Sequence, residues 1–196
     1  MQTYEIFRRC LFLTMAVYLA TVVVQADDEK KNEAKPATME VKIKDLELIV
    51  PKSWEKQEPT SKIATAQFGI PAAKDDETGA VLVISVIKGG GGGVDMNIPR
   101  WLGEFSGEGR SIKVKTAKAE QGEYAIVDLQ GTHIGSTFAR RQVPLEDARM
   151  LVVVMVNNDE GYFLKLTGSK KTVDEAEEAF RASFGGDAEA EKDYEF

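Results

Sequence analysis

Apolar residues along this chain recur mostly every second position, a spacing that predicts strands. Val41 and Ile43, then Leu46, Leu48 and Val50, keep that period, with one slip at Lys44-Asp45 that predicts a turn or bulge. Pro51 closes the run, because it has no N–H to give a ladder. Ala64, Ala66, Phe68 and Ile70 alternate next and stop at Pro71. Residues 75–79 read as a polar turn. Residues 81–87 (VLVISVI) and 150–156 (MLVVVMV) are apolar on both faces, so each needs cover on both sides of its sheet. Residues 124–129 and 162–166 are further strands. Asn157-Asn158-Asp159-Glu160-Gly161 predicts a hairpin turn before the second of these. Residues 111–119 (SIKVKTAKA) alternate weakly and predict a half-exposed or edge strand.

The period changes in two places. Ile98, Trp101, Leu102 and Phe105 fall on one helical face after Asn97, a good N-cap, with Pro99 in the first turn. Gly107 and Gly109 stop that helix. Thr172 and Glu175 predict a capping box, and Val173, Ala176, Phe180 and Phe184 form the stripe that follows it. Gly185-Gly186 ends the second helix. Two helices among hairpin-linked strands predict an α+β fold. It is a mostly antiparallel sheet with helices packed on both faces, an α/β/α sandwich.

The two ends of the chain follow other patterns. Arg8 and Arg9 precede an apolar run from Cys10 to Val24, and Val24-Gln25-Ala26 places small residues at the −3 and −1 positions of a cleavage site. The run is shorter than the ~20 residues that span a bilayer. Residues 1–26 therefore read as a cleavable signal peptide cut after Ala26. The expected product is exported, periplasmic or secreted, with no membrane span after cleavage. Residues 27–38 are charged and aperiodic, a flexible linker. Residues 39–186 form the single domain, and residues 187–196 (DAEAEKDYEF) a disordered acidic tail.

Charge and chemistry narrow the function. Cleavage removes Arg8, Arg9 and Glu5, leaving 23 basic and 31 acidic residues and a net charge of −8. That balance argues against nucleic acid as a partner. Cys10, the one cysteine, leaves with the signal, so no disulfide, thiolate nucleophile or thiolate-held metal is expected. Gly89 to Gly93 is followed by Val94-Asp95-Met96 and not by the Lys-Ser/Thr of a phosphate loop, and Asp95 would repel a phosphate. It reads as a mobile connection. No cofactor is expected.

The order of several short motifs resembles a known family. Val50-Pro51-Lys52-Ser53-Trp54, a strand ending Phe68-Gly69-Ile70-Pro71, and the Asn97-x-x-Arg100-Trp101-x-x-x-Phe105 helix after a glycine run come first. Asp128-Leu129-Gln130-Gly131-Thr132 and the strand from Tyr162 to Gly168 follow. Together they resemble Mog1/PsbP-like domains and small exported bacterial proteins of that type, over roughly residues 40–186. The resemblance implies an antiparallel sheet between helical layers. It also implies binding or accessory roles in place of catalysis, with no site residue to carry over.

Residues 132–149 (THIGSTFARRQVPLEDAR) lack a clear period and read as a long loop. They gather His133, Arg140, Arg141, Glu146, Asp147 and Arg149, the candidate binding set for a protein or peptide partner. His133 is the single histidine and stands near a strand end. A second reading is a hydrolase or small-ligand-binding protein using His133 and nearby carboxylates. A third is a calcium-dependent envelope protein using Asp75, Asp76 and Glu77. No catalytic set and no metal set is assembled in sequence, and the oligomeric state stays open.

Overall fold

The computed structural model describes residues 36–135 and 140–195, without the side chains of residues 140–142. The expected signal peptide and most of the expected linker lie outside the described residues. No helix among the described residues is long and apolar enough to cross a membrane.

The first two strands, β1 (Thr38–Ile43) and β2 (Leu46–Pro51), form a separate antiparallel hairpin, with the predicted turn at Lys44-Asp45. The main sheet holds eight strands. They are β3 (Glu55–Gln57), β4 (Ala64–Ile70), β5 (Ala80–Lys88), β6 (Ser111–Ala119), β7 (Gly122–Gly135), β8 (Arg140–Asn157), β9 (Glu160–Ser169) and β10 (Lys192–Asp193). Their order across the sheet is β10-β6-β7-β8-β9-β5-β4-β3, and every pairing is antiparallel. The strands apolar on both faces, β8 and β5, lie inside this order and not at its rim. Asn158 and Asp159 both adopt positive φ at the β8–β9 turn, the mirror-image turn that matches strand twist.

Two apolar clusters flank the sheet. One gathers Leu82, Ile84, Leu151, Val153, Leu164 and Leu166 under the helix α2 (Lys170–Phe184) and the β1–β2 hairpin. Val173, Phe180 and Phe184 of α2 are fully buried there. The hairpin is pinned at its tip. Glu47 N–H donates to Gln121 Oε1 at 2.7 Å, and Gln121 Nε2 donates back to the Glu47 carbonyl at 2.6 Å.

The other face buries Val127, Leu129, Met150, Val152, Val154 and Phe163. Its cover differs from the expected helical layer. The helix α1 (Ile98–Leu102) has only five residues, and the chain from Gly89 to Phe105 covers the face as an irregular segment. Gly103 ends α1, its N–H donating to the Pro99 carbonyl at 3.1 Å, so Phe105 lies beyond the helix that was expected to include it. Trp101 and Phe105 still enter the core.

The glycine run is held in place. All five glycines have positive φ, which a residue with a Cβ rarely adopts. Asn97 Nδ2 donates to the Gly91 and Gly93 carbonyls at 2.9 and 2.7 Å. Asn97 therefore closes this turn instead of capping α1 with its side chain.

Three further expectations change. The cap of α2 is Ser169, whose Oγ accepts from Thr172 N–H at 3.2 Å, so the helix starts three residues earlier than Thr172 predicted. The expected loop 132–149 is strand over its described residues. Residues 132–135 extend β7 and residues 140–149 extend β8, with register shifts at Gly131–His133 and His133–Gly135 that break the apolar period, and residues 136–139 lie outside the described residues. Residues 187–195, expected to be solvated, carry a short turn and then pair with β6 through Lys192 and Asp193. Tyr194 packs against the second cluster.

Candidate functional site

The predicted site residues fall into three places. Arg149 lies on β8 beneath α2. The residue is 7% exposed, and its guanidinium meets three carboxylates from two elements. Nε and Nη2 grip Asp128 at 3.0 and 2.9 Å in a two-pronged pair, and Nη1 reaches Asp174 at 2.8 Å and Glu177 at 2.6 Å. Arg181 on α2 extends the network, donating to Glu177 at 2.9 Å and pairing with Glu191 of the C-terminal segment. Burial opposes the Arg149 charge, but Asp128 and Glu177 outweigh it and hold the guanidinium fully protonated. Burial raises the Glu177 carboxyl, and the two arginines more than reverse that, leaving it below the ordinary carboxylate value. Arg149 therefore ties the helix to the sheet.

His133 faces the opposite side, toward the segment that covers the second cluster. Backbone pairing places it there: Ser106 N–H donates to the Thr132 carbonyl and Ile134 N–H to the Glu104 carbonyl, both at 2.8 Å. Its ring meets Phe105 edge-on, with centroids 5.1 Å apart. Nε2 stands 3.5 Å from Glu104 Oε2, an ion-pair distance longer than a good hydrogen bond. Glu104 is 1% exposed, and Lys165 Nζ on β9 donates to its two oxygens at 2.9 and 3.2 Å. Burial would raise the Glu104 carboxyl. The His133 ring and the Lys165 ammonium lower it further than burial raises it.

This arrangement is an ion pair beside a ring and not an acid–base pair open to substrate. Both His133 nitrogens are shielded from solvent and neither makes a hydrogen bond. A general base must reach the proton it takes. Glu104 and Lys165, which the sequence reading missed, come from positions 29 residues before and 32 after His133. No local spacing signals such partners.

Glu146 and Asp147 are exposed on β8, Asp147 with positive φ. The Arg140 and Arg141 side chains lie outside the described residues. The candidate set therefore does not converge: Arg149 and His133 are engaged on opposite faces, and Glu146 and Asp147 face solvent.

The acidic turn has a structural use. Asp76 Oδ2 lies 2.7 Å from Thr172 Oγ1 and also accepts from Ser169 Oγ, joining the turn to the start of α2. Ala73 N–H donates to Thr172 Oγ1 at 3.0 Å. Asp75 and Glu77 point no comparable contact at it, and among the described residues no three His, Cys, Asp or Glu side chains converge to hold a metal. Bonds from Ser169, then Thr172 and the Thr78 amide, lower the Asp76 carboxyl to about 2. A folded value below the ordinary 3.8 stabilises the protein above that pH, and the contribution fades as pH falls toward 2. The expected result is a lower urea midpoint for Asp76→Asn at neutral pH, with the gap to wild type closing between pH 4 and about 2. A gap that stays constant across this range would remove the assigned role.

No family model matches the chain, and no curated protein sequence matches it. Among solved structures it is similar to cyanobacterial PsbP (CyanoP) from Synechocystis sp. PCC 6803, with 11% identity and a TM-score of 0.46 over 83% of this chain and 96% of that one. It is also similar to the Saccharomyces cerevisiae Ran-binding protein Mog1p, with 9% identity and a TM-score of 0.43 over 76% of this chain and 86% of that one. A Pseudomonas aeruginosa protein of unknown function is 16% identical, with a TM-score of 0.42 over 74% of this chain and 91% of that one. Both kinds of protein in the sequence resemblance, PsbP and Mog1, are thus among the structures this chain is similar to.

Proposed function

We propose that this chain is an exported, non-enzymatic protein that binds a protein or peptide partner, and that the outer part of the β7–β8 hairpin makes the contact. One observation carries the reading. Residues 140–147 of β8 run past the last β9 pair, Ala148 with Ser169, so this hairpin projects beyond its neighbour. Along it, Val143 is 75% exposed, and Pro144, Glu146 and Asp147 face solvent. Surface hairpins on a rigid sheet are common recognition elements. The shielded nitrogens of His133 weigh against the hydrolase alternative.

Photo-crosslinkers placed at position 143 or 146 of the full chain test this. Both should recover the same partner, and a crosslinker at Ile63, which is 61% exposed on another strand connection, should not. Paired Arg140→Ala and Arg141→Ala substitutions should lower that recovery about tenfold, a loss of one decade in affinity. Unchanged recovery from the double variant would discard the hairpin as the contact. Export is checked by the mass of the mature chain, expected to begin at Asp27. A mature chain retaining residues 1–26 would discard the cleavage.

A further inference from the structure

The C-terminal segment sits on β6 as a bound peptide would. It follows Gly185-Gly186, where Gly185 caps α2 in the left-handed region and donates its N–H to the Ala182 carbonyl at 3.2 Å. Glu191 then lines a cleft of about 210 Å³ together with Lys113, Lys115, Asp128, Arg149, Glu177 and Arg181. Its carboxylate is fully buried, pairs with Arg181, and accepts from the Tyr124 hydroxyl at 3.1 Å. Lys192 and Asp193 pair with Thr116 and Lys115 as an added strand, which puts Asp193 opposite a lysine. Tyr194 N–H continues the ladder to the Val114 carbonyl at 3.0 Å, and the Tyr194 hydroxyl donates to Asp95 at 3.1 Å.

Three features mark this seat as an acceptor with a replaceable occupant. The ladder engages only Val114 to Thr116, a third of the nine-residue β6. Glu191 Oε2 is buried with no hydrogen-bond partner, so the fit of the occupant is incomplete. The charges are complementary: the segment carries Asp187, Glu189, Glu191, Asp193 and Glu195, and the cleft sets four cations, Lys113, Lys115, Arg149 and Arg181, against two carboxylates, Asp128 and Glu177.

We propose that the outer edge of β6, with the cleft beneath α2, accepts an extended acidic peptide of a partner protein by strand addition, and that residues 187–195 occupy it in the unbound chain. The side chains that read such a peptide are Arg181 and Tyr124 for a buried carboxylate, and the second apolar cluster for an aromatic residue three positions later. This rests on the reading of the chain as a partner-binding protein. It involves β6, α2 and β10 and not residues 140–147, so crosslinking from position 143 fails or succeeds independently of it.

The test uses the full chain with Glu191→Ala and Tyr194→Pro, which remove the buried carboxylate, the aromatic ring and one ladder donor. The probe is a labelled synthetic peptide of residues 187–196. The folded variant should bind the peptide at least about tenfold more tightly than wild type does, with amide shifts at Val114, Lys115, Thr116 and Arg181. A basic peptide of equal length should not bind. A folded variant that ignores the peptide would overturn the proposal. So would dimers formed by exchange of the segment between copies. Loss of folding in both this variant and the milder Tyr194→Ala would also overturn it, because the segment would then be an integral strand.

Discussion

Replacing Arg149 with Ala is expected to cost about 3 kcal/mol of stability, because the loss of one partner leaves buried carboxylates uncompensated. Asp128 and Glu177 keep 18% and 27% of their side chains exposed, which holds the cost at the lower end for a broken buried pair. In a domain of this size that shifts Tm by about 6–12 °C. The pH dependence identifies the cause. The two arginines hold Glu177 below the ordinary carboxylate value of 4.5, so this stability is present above that pH and is lost as pH falls through the lowered value. The difference between Arg149→Ala and wild type should therefore shrink in acid. Arg149→Lys keeps the charge but not the two-pronged grip on Asp128, and should fall between the two. A difference that ignores pH would mean that packing, and not charge, sets the cost.

Trp101→Ala is expected to cost about 4 kcal/mol, the range for a fully buried aromatic cut to a methyl. Trp101 is 1% exposed and meets Phe163 edge-on, with centroids 6.4 Å apart. The local consequence is more telling than the sum. A helix of five residues has almost no stability of its own, so the cover on this face depends on what Trp101 and Phe105 bury. Hydrogen exchange should accelerate first at the amides of residues 97–106 and later in β8 and β9. Glu104 and His133 should become solvent-exposed with them, since the same segment holds both shielded. Uniform acceleration across the sheet would show that the two faces open as one unit.

The strands were legible where burial is even. In β8 the stretch from Met150 to Met155 is buried on both faces, and the run of Val, Leu and Met shows it without knowledge of neighbours, whereas β5 is buried on one face and leaves Val81 exposed on the other. The α2 stripe was legible for the same reason, since one apolar core receives Val173, Phe180 and Phe184. The long hairpin was not. Its residues have solvent on one side and a short backbone pairing on the other, and its two register shifts change the phase twice within five residues. The site was legible only as residue types. His133 and Arg149 were marked, but their partners Glu104, Lys165, Asp174 and Glu177 are set by topology, which no spacing in the chain encodes. Thr172 was mistaken for a cap because Ser169 matches the same chemistry three residues earlier. Thr172 is used instead to hold Asp76.

The run from Gly89 to Gly93 has a bearing on how this chain can vary. Five successive residues take backbone angles that belong to the mirror image of ordinary protein. Of the twenty genetically encoded residues, one is achiral and meets that demand without strain. Its letters have little freedom to diversify, even though it lies at the surface. What reads as low complexity is here a record of handedness.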